Sequence, residues 1–212
     1  MNPLFAERGD TFFTKSSSLL GRLIRWGEKD PDESTGAWTN HAGVVVESGW
    51  IGGDPGLPGY KEAVVIEALW KTRRGPLKVN GVDVRVFRPV PAYTEEEKAL
   101  FVAEAESYVG DGYGWWKLGG FLLKRATRGV VDVTKVYFIK NRPICSYMAA
   151  WTNEKARKIG DRSKAWAGPW PGFGMPPQSA DPDEMLDTCW ALPEFWQEVG
   201  VYQPAEKLAR AS

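Results

Sequence analysis

One histidine and two cysteines are all that this 212-residue chain has of the side chains most used for metal binding and nucleophilic work. His41, Cys145 and Cys189 cannot supply the usual zinc ligand sets, so no metal site is expected. Two cysteines allow one disulfide at most, far from a disulfide-built secreted scaffold. Net charge is lacking too: 27 basic and 27 acidic residues cancel. That leaves no electrostatic case for a nucleic acid or a membrane surface as partner. No apolar run approaches the roughly 18 residues of a spanning helix, so no transmembrane segment is expected. The start, "MNPLFAERGD", carries Glu7, Arg8 and Asp10 and no apolar signal core. The expectation is a protein cytoplasmic as synthesised, with signal-independent delivery if it works at a cell wall or outside. There is no phosphate-binding glycine loop with a lysine and no dinucleotide fingerprint after a strand. No cofactor is expected.

What the chain has in excess is tryptophan, 11 residues scattered along it, which suits aromatic packing or an aromatic-lined groove. The remaining composition, 43% hydrophobic and 25% charged, is that of a globular protein with material for a sizeable core. One domain over residues 1–212 is expected, with its core at about 9–188 and a C-terminal helix and tail over 189–212.

The pattern of elements is α+β. "GDTFFT" reads as an opening strand and "SSSLLGRLIRWG" as a helix, with a polar loop after it. "HAGVVVE" is apolar on both faces, as a covered central strand is. "GWIGGDPGLPGY", with five glycines and two prolines, reads as a long turn or flap. "AVVIEALW" and "VDVRVFRPV" follow as strands. "TEEEKALFVAEAESYVG" is a helix with a capping box at Thr94 and Glu97, stopped at Gly110. "GYGWWKLGGFLLKRA" reads as a loop and a short helix, and "PICSYMAAWTNEKARKIG" as a helix opening just after Pro143. "AWAGPWPGFGMPPQSA" is a loop. "DPDEML" starts a short helix with Asp181 as cap and Pro182 first. Strands gather in the first half and helices in the second.

The lone imidazole gains meaning from Cys145, which sits at the first turn of its helix. Free N–H groups and the helix dipole there favour a thiolate, and a neighbouring imidazole favours it further. The same N–H groups suit an oxyanion. The plainer alternative is that Cys145 is a small buried hydrophobe. Glu67 is an acid among apolar strand residues and needs a partner. Antiparallel pairing of its strand with the His41 strand brings both to one end of the sheet, where Glu67 can orient the imidazole. Its rival role is a strand glutamate paired with Arg73, Arg74 or Arg85.

In the order "GDTFF", "WTNHAGVVVE", "VVIEAL", "GYGWW", "ICSYMAAW", "DPDEML", the chain resembles the circularly permuted papain-like, NlpC-type hydrolases. That group includes the YiiX-like proteins and relatives of lecithin:retinol acyltransferase. The resemblance spans about residues 9–188, in short motifs, with the histidine strand ahead of the cysteine helix. It implies a permuted papain-like fold, an antiparallel sheet packed against helices with the cysteine at a helix start. It further implies a cysteine hydrolase of peptidase or amidase type: Cys145 as nucleophile, His41 as base and Glu67 as third residue. Tyr113 falls at a pocket-wall position, and Trp115 and Trp38 are read with it as substrate contacts. "DPDEML" falls at a turn of structural role. The implied partner is a peptide or acyl-amide substrate, with peptidoglycan peptide as one candidate. Lipid or other acyl esters, acyl transfer, and a non-catalytic binding or structural role are the alternatives. The loops Gly49–Tyr60 and Ala165–Pro177 have no place in the family pattern.

Overall fold

His41–Glu47 form strand β3, buried at every position but the last, and this dictates the architecture around it. A strand without a polar face needs cover on both sides. In the computed structural model it lies inside a six-stranded sheet. The structure describes residues 3–16, 22, 38–54, 56, 58–79, 81–112, 114, 119, 123, 127, 144–158, 172–173 and 180–204. Most of the expected helix at 16–27, most of the expected loop and short helix at 112–126 and most of the Trp-rich loop 165–180 lie outside them.

The other strands are β1 (Leu4–Ala6), β2 (Thr11–Lys15), β4 (Gly49–Ile51), β5 (Val64–Ala68), β6 (Thr72–Pro76), β7 (Asp83–Pro89) and β8 (Trp196–Tyr202). The large sheet runs β6-β5-β3-β2-β7-β8, with every neighbouring pair antiparallel; β1 and β4 form a separate antiparallel pair. Three helices stand among the described residues: α1 (Glu95–Glu106), α2 (Cys145–Lys158) and α3 (Pro182–Ala191). The fold is thus mixed α+β on an antiparallel sheet.

Strand alternation sorts the core into two layers. Phe13, Ala42, Val44, Ile66 and Phe87 face Phe101 of α1, Met148 and Ala149 of α2, and Met185 and Leu186 of α3. Phe12, Val45, Val65, Val84 and Val86 face the other way, onto Ala6, Ile51 and Tyr202. Helix α2 packs over β3 and against α1, which sets its first residue near the head of β3.

Local chemistry fixes the helix starts. Thr94 Oγ1 accepts the Glu97 N–H at 3.2 Å, and Glu97 accepts the Thr94 N–H at 2.8 Å, the expected capping box. Asp181 caps α3 through the Glu184 N–H at 2.8 Å, with Pro182 in the first turn. Helix α1 ends at Glu106, a turn short of Gly110.

Two expectations need correcting, and one strand was not expected. The glycine-rich stretch read as a long turn or flap begins as a strand: Gly49–Ile51 pair with Leu4–Ala6, the Phe5 and Trp50 rings meet edge to face at 5.1 Å, and bends and turns follow among the described residues to Tyr60. Gly49 is needed there, since a Cβ would meet Ala63 N at 2.5 Å, and Trp50 exchanges backbone bonds with Lys61 and Ala63. Thr72–Pro76, with two arginines, a glycine and a proline, carries no strand pattern, yet it forms the edge strand β6. Charge and proline are how edges are protected. The C-terminal segment is not helix and tail throughout, because Trp196–Tyr202 closes the opposite edge as β8. Its buried ends, Trp196 and Tyr202, serve the two core layers in turn.

Gly43 marks a point of close approach inside the sheet. A Cβ at this position would lie 2.4 and 2.6 Å from Phe12 ring atoms and 3.0 Å from the Ile66 carbonyl oxygen. Both neighbours are fully buried. Gly43→Ala should therefore lower stability by about 1–3 kcal/mol, the range for overpacking a closed core. Urea unfolding of the variant against wild type measures it, and an unchanged midpoint would contradict the packing described.

Candidate active site

The register of β3 against β5 assembles the site. Gly43 pairs with Glu67, so Glu67 shares a sheet face with the alternating positions His41, Gly43 and Val45. His41 lies one alternation beyond the last rung, and its Nε2 is 2.8 Å from Glu67 Oε2, with both residues buried. The edge of the Phe12 ring closes on the imidazole, centroids 6.2 Å apart and planes at 60°, from the strand on the other side. The glycine at 43 lets that ring lie across β3.

Cys145 arrives from the other core layer as the first residue of α2. The Ile144 carbonyl accepts the Met148 N–H at 3.0 Å, so the N–H groups of Cys145, Ser146 and Tyr147 come before any intrahelical acceptor. Isoleucine supplies no capping oxygen. The backbone N–H groups of Ser146 and Ala42 lie on the side of the Cys145 sulfur and favour its thiolate. Ala42 is free for this because the β3–β5 ladder ends at Gly43 and Glu67. The side chains of His41 and Cys145 adjoin, and each favours the charged form of the other. With Nε2 on Glu67, Nδ1 is the nitrogen that meets the thiol.

Burial and charge oppose each other at all three residues. For His41, burial disfavours the cation, but the adjacent Cys145 thiolate and the bonds to Cys145 and Glu67 win and push the imidazole up to about 10. For Cys145, burial disfavours the thiolate, while the His41 charge and hydrogen bond and the two backbone N–H groups hold the thiol below its ordinary value. Burial also works against an ionised Glu67, and the bonds and charges of His41 and Arg73 bring it down. At all three residues the balance favours the charged form, and only 3% of Cys145, 8% of His41 and 4% of Glu67 is exposed. So little water strengthens each of these interactions.

The two roles weighed for Glu67 coexist. Oε2 meets His41, and Oε1 pairs with an Nη of Arg73, its cross-strand neighbour on β6. Arg74 turns away to Glu47 and Glu106, and Arg85 pairs with Glu198.

Other expected residues fall differently. Trp38 is partly buried against the helical core layer, with the Arg85 guanidinium 4.8 Å and Lys15 Nζ 5.7 Å from its ring centroid. Packing accounts for it without a substrate. Tyr113 and Trp115 lie outside the described residues. Cys189 is reduced and buried, and burial raises its thiol well above the ordinary value. Among the described residues no cluster of His, Cys, Asp and Glu has the arrangement of a metal site, and no helix is long and apolar enough to cross a membrane.

Two supports of the site are not evident in the sequence. Asp183, in the first turn of α3, accepts the N–H groups of Trp38 at 2.7 Å and Thr39 at 3.1 Å. Thr39 in turn donates its hydroxyl to the Thr14 carbonyl at 2.8 Å, fixing the approach to His41. Ser146 Oγ donates to the Ala180 carbonyl at 2.7 Å, which ties the start of α2 to the start of α3. The acid-rich "DPDE" reads as helix-start chemistry, and only the fold brings Asp183 to the histidine strand.

No family model matches the chain, and no curated protein matches it. Among solved structures, a crystal structure described as metalloprotein yiiX from Escherichia coli O157:H7 is similar. It is 18% identical, with 74% of this chain and 68% of that one covered, at a TM-score of 0.45.

The charge arrangement predicts the reactivity of the two thiols. Iodoacetamide should label Cys145 at a pH well below the roughly 8.5 of a free thiol, and Cys189 hardly at all. In His41→Ala the cation that opposes burial is gone, so the onset at Cys145 should move up. The second-order alkylation rate over a pH series, on a Cys189→Ala background, reads both. Superimposable profiles would mean that His41 does not act on the thiol.

Proposed function

We propose that the protein is a thiol hydrolase of the peptidase or amidase type, acting through Cys145, His41 and Glu67 on a permuted papain-like domain. The observation that carries the reading is the buried series of Cys145, His41 and Glu67, with His41 held by Glu67 at 2.8 Å and the cysteine at a helix start. A structural cysteine needs neither a charged partner nor backbone donors on its sulfur.

In this mechanism the Cys145 thiolate attacks a carbonyl carbon and forms a C–S bond. The Cys145 N–H at the helix start faces no intrahelical acceptor and is suited to the developing oxyanion. His41 Nδ1–H gives its proton to the leaving amine as the C–N bond breaks, which leaves a thioester on Cys145. Neutral His41 then takes a proton from water as the water oxygen attacks the thioester. Release of the acid restores thiolate and imidazolium. Glu67 holds Nε2 throughout, so that Nδ1 stays on the reacting side. An amide in a cell-wall peptide is the proposed substrate. Acyl esters meet the same nucleophile, and the mass of the adduct on Cys145 distinguishes the acyl donors.

Turnover needs the imidazolium to protonate the leaving group. It should therefore rise where the thiolate forms, hold through neutral pH, and fall as His41 loses its proton toward about 10. Alkylation of Cys145 should not fall there, because the thiolate persists.

With peptide anilides and aryl acyl esters as substrates, Cys145→Ala should abolish turnover and keep the fold, while Cys189→Ala stays active. His41→Ala should lose about 10²- to 10⁴-fold in rate. Glu67→Gln, which keeps an acceptor but not the charge, should lose less. Turnover by Cys145→Ala, or a Glu67→Gln enzyme equal to wild type in rate and alkylation, would remove the corresponding assignment.

A further inference from the structure

Beyond the three residues of the proposed site stands Arg73. We propose that Arg73 is a positioning residue, which keeps Glu67 ionised and presents only its Oε2 to His41. The proposal extends the reading of Cys145, His41 and Glu67 given above.

The geometry separates Arg73 from the other arginines of the sheet. Arg74, next to it, pairs with half-exposed Glu47 and Glu106, an ordinary surface arrangement of small energetic weight. Arg73 instead reaches in from edge strand β6, with 30% of its side chain exposed, to a carboxylate that is almost fully buried. The other oxygen of that carboxylate holds the imidazole. Two charged groups face Glu67, His41 from β3 and Arg73 from β6. His41 faces Cys145 from α2 and Glu67 from β5, with uncharged Phe12 beside it.

Burial alone would drive Glu67 toward its neutral acid, and a neutral acid neither stabilises an imidazolium nor fixes its orientation. The arginine counters this without touching the imidazole. Occupying Oε1 also stops the carboxylate from offering either oxygen in turn. Thiolate, imidazolium, carboxylate and guanidinium then alternate in sign from the helix start to the sheet edge.

The single histidine makes the test direct, because its imidazole NMR signals need no assignment. Those signals are followed from about pH 4 to about pH 11 in wild type, R73Q, R73K and E67Q. Alkylation of Cys145 is measured alongside, and circular dichroism checks the fold. In R73Q the acid-range step at His41, which reports protonation of Glu67, should move up by about one to two pH units, the effect of losing an adjacent opposite charge. Alkylation below that pH should slow with it. R73K should return both toward wild type, and E67Q should lack the step. Superimposable His41 curves for R73Q and wild type would overturn the proposal. So would an R73Q protein that fails to fold, since the arginine would then serve stability. The same titration in C145A tests the underlying reading independently. If the His41 base-range step is unmoved by loss of the thiol, the Cys–His pairing fails whatever Arg73 does.

Discussion

The bond between His41 Nε2 and Glu67 Oε2 is the contact on which the site depends. It exists because β3 and β5 pair in one register, and a slip of one residue would send Glu67 to the opposite face. That register is set by apolar packing on both sheet faces rather than by the polar residues. The site therefore takes its precision from the core. A buried carboxylate is costly without partners, and here it has two. An imidazole held at one nitrogen has one orientation left to offer at the other.

The helix start supplies the other half of the geometry. A helix opening after Ile144 lacks a capping oxygen, and the Ser146 N–H favours a negative charge on the Cys145 sulfur. The Ala42 N–H, beyond the last rung of the β3–β5 ladder, provides a second donor. Both are backbone groups at the ends of regular elements, where the ladders stop and donors are left over. Such ends are where a chain can stabilise an anion without extra side chains.

Much of this was legible in the sequence. His41 heads an apolar strand, Glu67 ends another, and antiparallel pairing brings such positions together. The capping box at Thr94 and Glu97 and the Asp181 cap were legible because they are local. What was hidden depends on remote pairing. Leu4–Ala6 and Gly49–Ile51 are too short to show alternation, and each becomes a strand only beside the other. Thr72–Pro76 carries edge-strand residues, which resemble a turn when read alone. Arg73 and His41 had looked like competing partners for Glu67, because a sequence does not show that a carboxylate has two separately used oxygens. Asp183 reaches the histidine strand through the packing of α3, and no spacing rule connects it to Trp38.

The histidine strand lies early in the chain and the cysteine helix about a hundred residues later. During synthesis the imidazole leaves the ribosome first, and the thiol follows with no partner until α2 docks on β3. Until then Cys145 has the ordinary acidity of a free cysteine, about 8.5, and is mostly uncharged at neutral pH. The lowering of its pKa is therefore a property of the finished tertiary structure rather than of the polypeptide. A nascent, truncated or unfolded copy carries a thiol that is more exposed but lacks the cation that lowers its pKa.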